Sequence, residues 1–322
     1  MSILERASPA GHPAVAAWRE CSGREIDLQH IEVLRGGKKS ATYRLVGAGP
    51  CGESIIAQCS QAPRASIERT VYERILVHLP VTMPRYCGAR EEDGQFVWLF
   101  FEDVGADRYQ PTDSAHLALG GRWMGLMHAT ATDVSAAQDL PDGGPQRYLE
   151  HLRAARHIIR TNLANRALTT GDVTVLEQLV TECDRLENDW AGIERLCARV
   201  PSTLVHGDFQ RKNAYIRQSV GGPELFVIDW EMAGWGVPAV DLPKIDLPTY
   251  WSVVRRYWSD VRFEDLERLA AVGRILQQLA AIHWVSPELA YDAGLYLRRP
   301  MSWLRVFQNR LAEAVTELKD LA

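Results

Sequence analysis

The sequence predicts an α+β fold in two lobes, a small antiparallel sheet with one helix followed by a larger, mainly helical lobe. Short β-leaning runs alternate with glycine-containing turns over residues 30–101, which is typical of an antiparallel sheet. From about residue 113 the apolar residues recur at helical spacing. The acidic segment Glu102–Asp103–Val104 lies between the two patterns. We therefore expect an N-terminal lobe over residues 1–103, a C-terminal lobe over residues 104–322, and a ligand cleft between them.

The N-terminal part is expected to be a small antiparallel sheet with one main helix. Its elements, in chain order, are a helix over 13–20, strands over 30–35, 40–46 and 54–59, a helix over 65–79, and strands over 85–90 and 95–101. The first hairpin turns at the sequence GGKK, residues 36–39, and the last turns at Asp93–Gly94, a dipeptide favoured in hairpin loops. The main helix is indicated by one apolar stripe, which consists of Ile67, Val71, Ile75 and Leu79.

The larger lobe is expected to be helical with a few short strands. Its helical patterns cover about 114–132, 146–162 and 172–199, its strand-like pieces lie near 203–206, 213–217 and 225–229, and helices return from about residue 238. Hydrophobic residues make up 46% of the 322-residue chain, which is enough to bury a sizeable core.

Charge and composition disfavour several classes of protein. With 36 basic and 41 acidic residues, the chain has a formal net charge of -5 and offers no broad positive surface to nucleic acid. The N-terminus lacks the pattern of a leader, and no stretch of about 18 apolar residues occurs. We therefore expect a cytoplasmic protein, monomeric or homodimeric, without a membrane segment. The six cysteines have no paired spacing, which predicts reduced thiols rather than a zinc site or disulfides.

Two polar segments at the ends of apolar strands carry the clearest chemistry. They are HGDFQRKN, residues 206–213, and IDWE, residues 228–231. Asp208 is placed at a strand end, where it can accept the proton of a hydroxyl group. The side-chain oxygens of Asn213 and Asp229 are hard ligands of the kind that Mg²⁺ prefers. Together these residues suit phosphoryl transfer, which requires an aimed hydroxyl group and neutralised phosphate charge.

These segments resemble the catalytic and metal-binding loops of the kinase superfamily. Their HGD and IDWE forms are similar to those of the aminoglycoside phosphotransferase and choline kinase family of small-molecule kinases. The resemblance implies a protein-kinase-like fold, with Asp208 as the catalytic residue and Asn213 and Asp229 as metal ligands. It also implies Mg²⁺, ATP or GTP as the phosphate donor, and a small-molecule hydroxyl group as the acceptor. A protein kinase is disfavoured, because no long activation segment follows Asp229.

Four further residues are expected to support these loops. In the family, the position of His206 helps to hold the catalytic loop, and Asp241 resembles the position that braces this loop from a following helix. Glu231 is either a residue near the metal or a solvated carboxylate. Arg211, inside the catalytic loop, is the fourth residue that we expect to support these loops.

The resemblance extends to the N-terminal lobe. The tip of the first hairpin is similar to the family's phosphate-covering loop, in which glycine lets the backbone approach the phosphates. The residues of this tip are Gly36, Gly37, Lys38 and Ser40. Glu68 stands where the family's helix carries a glutamate that pairs with a strand lysine, and a surface acid is the alternative. Glu102 and Val104 resemble the hinge, whose backbone binds an adenine-like edge.

The strand lysine itself is missing. Over residues 54–59 the nearest polar candidate is Gln58, where the family places a lysine that holds the α and β phosphates. The loss of one charge-assisted contact costs about 1.5–3 kcal/mol, which does not exclude an active enzyme. Lys38, Lys39 and Arg64 are candidates to compensate. The alternative is a nucleotide-binding pseudokinase.

The acceptor is indicated only by charge and aromatic content. Acidic and basic residues are equal in number over residues 241–322, whereas a site for a polycationic aminoglycoside should be rich in carboxylates. We therefore expect a neutral or weakly charged acceptor, such as a sugar- or nucleoside-type antibiotic that phosphorylation inactivates. A metabolic kinase for choline or an amino alcohol is the alternative. The aromatic candidates for stacking on the acceptor, or for the helix core, are Tyr250, Trp251, Tyr257, Trp258, Trp284 and Trp303.

Overall fold

The structure is a computed structural model that describes residues 2–3, 11–25, 27–37 and 40–321. Lys38 and Lys39, which were expected in the phosphate-covering loop, lie outside the described residues. The described chain forms two compact units. The first is drawn from residues 1–119, 133–140 and 208–233, and the second from residues 120–132, 141–207 and 234–322. The lobe boundary expected between residues 103 and 104 stays a prediction.

Strands dominate the N-terminal part and helices the larger C-terminal part, which confirms the α+β fold class. The strands of the described chain are β1 (Ser2–Ile3), β2 (His30–Arg35), β3 (Ser40–Val46), β4 (Ile55–Gln61), β5 (Tyr86–Glu92), β6 (Phe96–Glu102), β7 (Thr203–Val205), β8 (Ala214–Ser219), β9 (Gly222–Val227) and β10 (Gly234–Gly236). The α-helices are α1 (Pro13–Ser22), α2 (Ala62–Thr70), α3 (Ser114–Ala131), α4 (Pro145–Asn162), α5 (Thr170–Asn188), α6 (Trp190–Cys197), α7 (Leu247–Val254), α8 (Phe263–Val285) and α9 (Gly294–Asp320).

The first unit is organised around an antiparallel sheet with the strand order β1-β2-β3-β4-β6-β5. Side chains alternate between the two faces of a sheet. Tyr43, Leu45 and Ala57 point to the face that packs against α1. Thr42 and Gln58 point to the opposite face, which lines a cavity. The sheet therefore has one face for the core and one face for a ligand.

Two hairpins of this sheet lie where the sequence predicts them. β2 and β3 have the bounds that the sequence predicts, and β5 and β6 are joined through Asp93 and Gly94. Both of these turn residues have positive φ, 49° and 66°. Aspartate and glycine tolerate this left-handed conformation better than most residues do. The dipeptide therefore determines where the chain reverses.

The main helix of the first unit is shorter than expected. Instead of one helix over 65–79, α2 is followed by a π-helical turn, Val71–Ile75, and a 3₁₀ turn, Leu76–His78. The earlier start is explained by Pro63, because proline in the first helical turn gives up an N–H group that the helix does not need there. Glu68, in the last turn of α2, is the residue of this helix that reaches the cavity.

The second unit is built around α8. This helix packs against α4, α9 and a 3₁₀ segment, Pro238–Lys244, while β7 and β10 form a short antiparallel pair. A Cβ atom at Gly273 of α8 would lie 1.8 Å from the carbonyl oxygen of Ala239. Glycine is therefore required for this close approach, which fixes the segment that carries Asp241.

The state of the cysteines and the character of the helices describe the chain as a whole. All six cysteines are free thiols in the structure. Within the described residues, no helix has both the length and the apolar character needed to span a membrane.

We expect Gly273→Ala to destabilise the second unit. The new methyl group would overlap the carbonyl of Ala239, and overpacking of this kind costs about 1–3 kcal/mol. Gly171→Ala is the matched control, because a Cβ atom at Gly171, in the first turn of α5, meets only the Thr169 hydroxyl at 4.0 Å. There alanine should be neutral or stabilising, since glycine costs a helix about 0.5–1 kcal/mol. Urea unfolding compares the two variants, and equal free energies of unfolding would contradict the packing.

Candidate active site

A buried carboxylate holds the loop that precedes Asp208. After β7, the backbone N–H groups of His206 and Gly207 donate to Asp241 at 2.7 Å and 3.1 Å. Asp241 is only 1% exposed, so water does not compete for these bonds. Gly207 has a φ of 79°, a conformation that glycine adopts at little cost. Asp241 therefore holds this loop through its backbone, and the supporting roles expected for His206 and Asp241 stay predictions.

Asp241 is itself oriented by a buried histidine. The Nε2 atom of His128 lies 3.4 Å from Asp241, and its Nδ1 atom lies 3.0 Å from the Tyr250 hydroxyl. Burial, with a further contribution from Asp241, holds the pKa of Tyr250 well above its usual range. The hydroxyl therefore stays protonated and can donate to Nδ1, while Nε2 faces Asp241.

The side chain of Asp208 lies within a short turn that folds back on it. Its Oδ2 atom accepts from Lys212 Nζ at 2.7 Å and from Asn213 Nδ2 at 3.1 Å, and its Oδ1 atom accepts from the Gln210 amide. The 3₁₀ turn Arg211–Asn213 brings these donors back to the carboxylate. Arg211, the first residue of this turn, is exposed.

The β8–β9 hairpin brings Asn213 and Asp229 to the same end. Ala214 pairs with Val227, and the N–H of Ile228 donates to the carbonyl of Asn213 at 2.9 Å. The amide nitrogen of Asn213 is engaged by Asp208, so its amide oxygen is the atom left to act as a ligand. Asp229 has a φ of 68°, an uncommon conformation for a residue other than glycine. Such local strain is often found where a side chain must be aimed.

This donor set fits magnesium. Asn213 and Asp229 both offer side-chain oxygens and both line the cavity. Among the described residues, no three His, Cys, Asp or Glu side chains converge into a complete metal cage. Mg²⁺ is usually bound by one or two carboxylates together with substrate phosphates, rather than by a full set of protein ligands. Two protein oxygens beside a cavity are therefore a suitable set.

Glu68 is a buried acid, not the surface residue that was the alternative. It is 1% exposed, and it accepts from the Gln58 amide at 2.7 Å and from the backbone N–H of Trp230 at 3.3 Å. Burial, reinforced by the charge of Asp229, raises the pKa of Glu68 to about 8. The residue opposite this glutamate is thus a neutral glutamine, where the resemblance implies a lysine.

A cavity of about 590 Å³ collects most of the residues expected at the nucleotide. Its volume lies within the usual range for small-molecule sites. Among the expected residues, those that line it are Ser40, Gln58, Glu68, Glu102, Val104, Asn213, Asp229 and Glu231. Gly36 does not line it, and Gly37 lines a separate pocket together with Ser40. Asp208 is connected to the cavity through Lys212 and Asn213, which both line it and both donate to its carboxylate.

The hinge segment is held mainly by its side chains. Glu102 lies 3.1 Å from Arg217, and Asp103 lies 2.6 Å from Arg44 and also accepts from the N–H of Gly105. Val104, between these contacts, lines the cavity. The hinge is therefore fixed at both sides of the position expected to meet the base.

The cavity is also lined by four cationic side chains that the sequence had not singled out. They are Arg35, Arg44, Arg108 and Lys212. Lys212 was visible in the sequence as a residue four positions after Asp208, a spacing that a turn brings together. Arg35 was visible as the last residue before the glycine-rich tip. Arg108 stacks over the ring of Tyr215 at 4.0 Å, and no local pattern indicated that contact.

The comparison with protein families gives one match. Residues 30–262 fit the model described as the phosphotransferase enzyme family. This range includes strands β2 to β6 of the sheet, the cavity and both polar segments. No curated protein sequence matches the chain.

Several solved structures share the fold. A spectinomycin phosphotransferase solved with ADP and spectinomycin is 13% identical, with a TM-score of 0.58 over 91% of this chain and 94% of that one. A microcompartment-associated aminopropanol kinase is 12% identical, with a TM-score of 0.63 over 95% and 98% of the two chains. A choline kinase from Cryptosporidium parvum is 11% identical, with a TM-score of 0.60 over 90% of each. The protein-kinase-like fold expected from the resemblance is therefore confirmed.

We expect Asp241→Asn to loosen the catalytic loop. The substitution keeps the shape of the side chain but turns one acceptor oxygen into a donor, so either His206 or Gly207 loses its partner. A buried N–H group without an acceptor costs about 1–3 kcal/mol. Urea unfolding should show a loss of this size, and amide exchange of residues 206 and 207 should become faster. Asp260→Asn, at an exposed position, is the control; a similar loss in both variants would contradict the bracing role.

Proposed function

Since the chain belongs to the phosphotransferase enzyme family, we propose that it transfers the terminal phosphate of ATP or GTP to a hydroxyl group of a small molecule through Asp208, Asn213 and Asp229. The observation that carries these roles is the arrangement at the end of the β8–β9 hairpin. There the two oxygen ligands line a cavity of nucleotide size, and one of them also donates to the candidate base. A base, a metal site and a phosphate site are the parts that this reaction needs.

Asp208 acts on the acceptor. Its carboxylate takes the proton of the hydroxyl group while the hydroxyl oxygen forms a bond to the terminal phosphorus. The bond between that phosphorus and the bridging oxygen breaks, and the nucleoside diphosphate leaves. Lys212 lies 2.7 Å from the same carboxylate, so it adds a positive charge near the incoming oxygen. When bound, magnesium neutralises phosphate charge, and Asn213 and Asp229 would hold it.

The nucleotide is placed by the sheet face of the cavity. The base would lie against the hinge, where its edge would meet backbone N–H and carbonyl groups around Val104, a residue that lines the cavity. The phosphates would then extend toward Asn213 and Asp229. Such an edge-on contact suits either a purine of ATP or one of GTP, and we include both donors. Because both nucleotides are available in the cytoplasm, the reaction is proposed to occur there.

We propose a neutral or weakly charged acceptor rather than a polycation. In the second unit many carboxylates are already neutralised by arginine. The pairs are Asp172 with Arg305, Asp184 with Arg156 and Arg160, Asp265 with Arg199, and Glu317 with Arg274. A polycation would have to compete with these arginines for the same carboxylates.

The aromatic candidates of the second unit differ in their exposure. Of the aromatic candidates, Tyr250 and Trp258 are buried, whereas Trp284 and Trp303 are 48% and 46% exposed. Trp284 packs against His151, and burial lowers the pKa of His151 to about 4, so this neighbour is neutral. Exposed indoles beside uncharged groups favour a sugar- or nucleoside-type compound. Inactivation of such an antibiotic, giving resistance, is the role we propose.

We expect Asp208→Asn to abolish turnover but to retain nucleotide binding. An asparagine cannot take up the hydroxyl proton, and the loss of a general base lowers kcat by about 10²- to 10⁴-fold. Asp229→Ala should weaken the binding of Mg²⁺-nucleotide as well, since a metal ligand is removed. Calorimetric titration with Mg²⁺-ATP and Mg²⁺-GTP, together with initial rates, separates the two effects. Asp260→Asn, an exposed aspartate, is the control, and near-normal turnover of Asp208→Asn would contradict its role.

We expect turnover with a nucleoside- or sugar-type antibiotic rather than with an aminoglycoside. The measurement is consumption of ATP or GTP with Mg²⁺ across antibiotics of these classes and across amino alcohols, with Asp208→Asn as the control. Preferential phosphorylation of kanamycin-like polycations would contradict the charge argument. Preferential phosphorylation of choline or an aminopropanol would instead assign a metabolic role.

A further inference from the structure

A β-bulge places an arginine on the cavity face of the sheet. β2 and β3 pair regularly from His30 to Val33, but beyond that point Arg35, instead of Leu34, is the partner of Thr42. In a regular ladder Arg35 would oppose Ala41 and point to the other face, because faces alternate with every residue. The bulge adds one residue to β2 and so brings both Leu34 and Arg35 to the cavity, which they both line.

Arg35 lies in the same cross-strand row as Gln58, which occupies the position where the resemblance implies a lysine. Thr42 pairs with Arg35 on one side and with Gln58 on the other. Residues that are directly opposite one another share a face, so Arg35 and Gln58 are about two strand spacings apart, roughly 10 Å. The Arg35 guanidinium also lies 3.9 Å from Asp229. It is thus close to the residues proposed to meet the phosphates.

The other described cations of the cavity make closer contacts. Arg108 donates to the carbonyl of Lys212 and stacks over the ring of Tyr215 at 4.0 Å. Arg44 lies 2.8 Å from Glu32 and 2.6 Å from Asp103. Lys212 is bound to Asp208 at 2.7 Å. Arg64, a candidate from the sequence, lies 3.1 Å from Glu231 and does not line this cavity. By contrast, the Arg35 side chain is 60% exposed, and its ion pair with Asp229 is at the limit of such contacts.

We propose that Arg35 binds the phosphates of the nucleotide and supplies the positive charge that Gln58 does not. The proposal rests on the proposed function, because it assigns a residue to the phosphate donor of that reaction. Arginine suits this role, since its planar guanidinium can donate two parallel hydrogen bonds to phosphate oxygens. Glu68 then needs no cation, because its hydrogen bonds come from the Gln58 amide and the Trp230 N–H.

The experiment measures the dissociation constants of Mg²⁺-ATP, Mg²⁺-GTP, adenosine and guanosine for the wild type and Arg35→Gln. Removal of one charge-assisted phosphate contact should raise the dissociation constant of the preferred triphosphate about ten- to a hundred-fold. The corresponding nucleoside has no phosphates, so its affinity should be unchanged. Arg90→Gln is the matched control, because Arg90 is a similarly exposed arginine of the same sheet that does not line the cavity.

A second substitution tests whether charge is what matters. Gln58→Lys, added to Arg35→Gln, should recover most of the lost triphosphate affinity, since it restores a cation in the same row. A loss that Gln58→Lys does not recover, or an equal loss for the nucleoside, would assign Arg35 a structural role and overturn the proposal. The proposal would also be overturned if Arg35→Gln bound the triphosphate with normal affinity while Lys38→Gln, Lys39→Gln or Arg64→Gln bound it weakly. A wild type that binds no triphosphate at all would instead contradict the proposed function.

Discussion

The burial of Glu68 is the constraint on which the candidate site depends. A carboxyl group that is almost completely shielded from water must find hydrogen-bond donors, because an unsatisfied buried polar group costs about 1–3 kcal/mol. Its donors are the Gln58 side chain on β4 and the backbone N–H of Trp230, the residue after Asp229. One side chain of α2 therefore fixes both the sheet face of the cavity and the turn that carries the proposed metal ligand.

A second buried acid plays the same part in the other unit. Asp241 satisfies two backbone N–H groups of the loop that leads to Asp208, and His128 satisfies Asp241 in turn. Both acids bind backbone groups next to a functional residue rather than the functional residue itself. As a result, the backbone beside Asp208 and Asp229 is held by other acids, so these two carboxylates are not the sole support of their loops.

The sequence was most informative where structure depends on neighbouring residues. The strands β2 and β3, the turn at Asp93–Gly94 and the order of Asp208, Asn213 and Asp229 could all be predicted, because alternation, turn chemistry and motif spacing are local. The break between α5 and α6 could not be predicted, since the buried residues Leu186, Trp190 and Ile193 keep helical spacing across it. The bulge in β2 was also missed, because it exists only in relation to β3.

The missing lysine also shows that contacts between distant residues could not be predicted from the sequence. The sequence indicated that Gln58 occupies its position, but it did not indicate the partner of that glutamine. In the structure the neutral amide donates an ordinary hydrogen bond to Glu68, and burial raises the pKa of this acid, so the pair is not an ion pair. A cation buried beside this acid would be held by it, whereas the Arg35 side chain, at the end of β2, is 60% exposed and would be ordered when it binds a phosphate. Ordering such a side chain costs up to about 2 kcal/mol of conformational entropy. A bidentate, charge-assisted contact is strong enough to offset that cost, so the charge at the phosphates can come from a flexible residue without loss of the site.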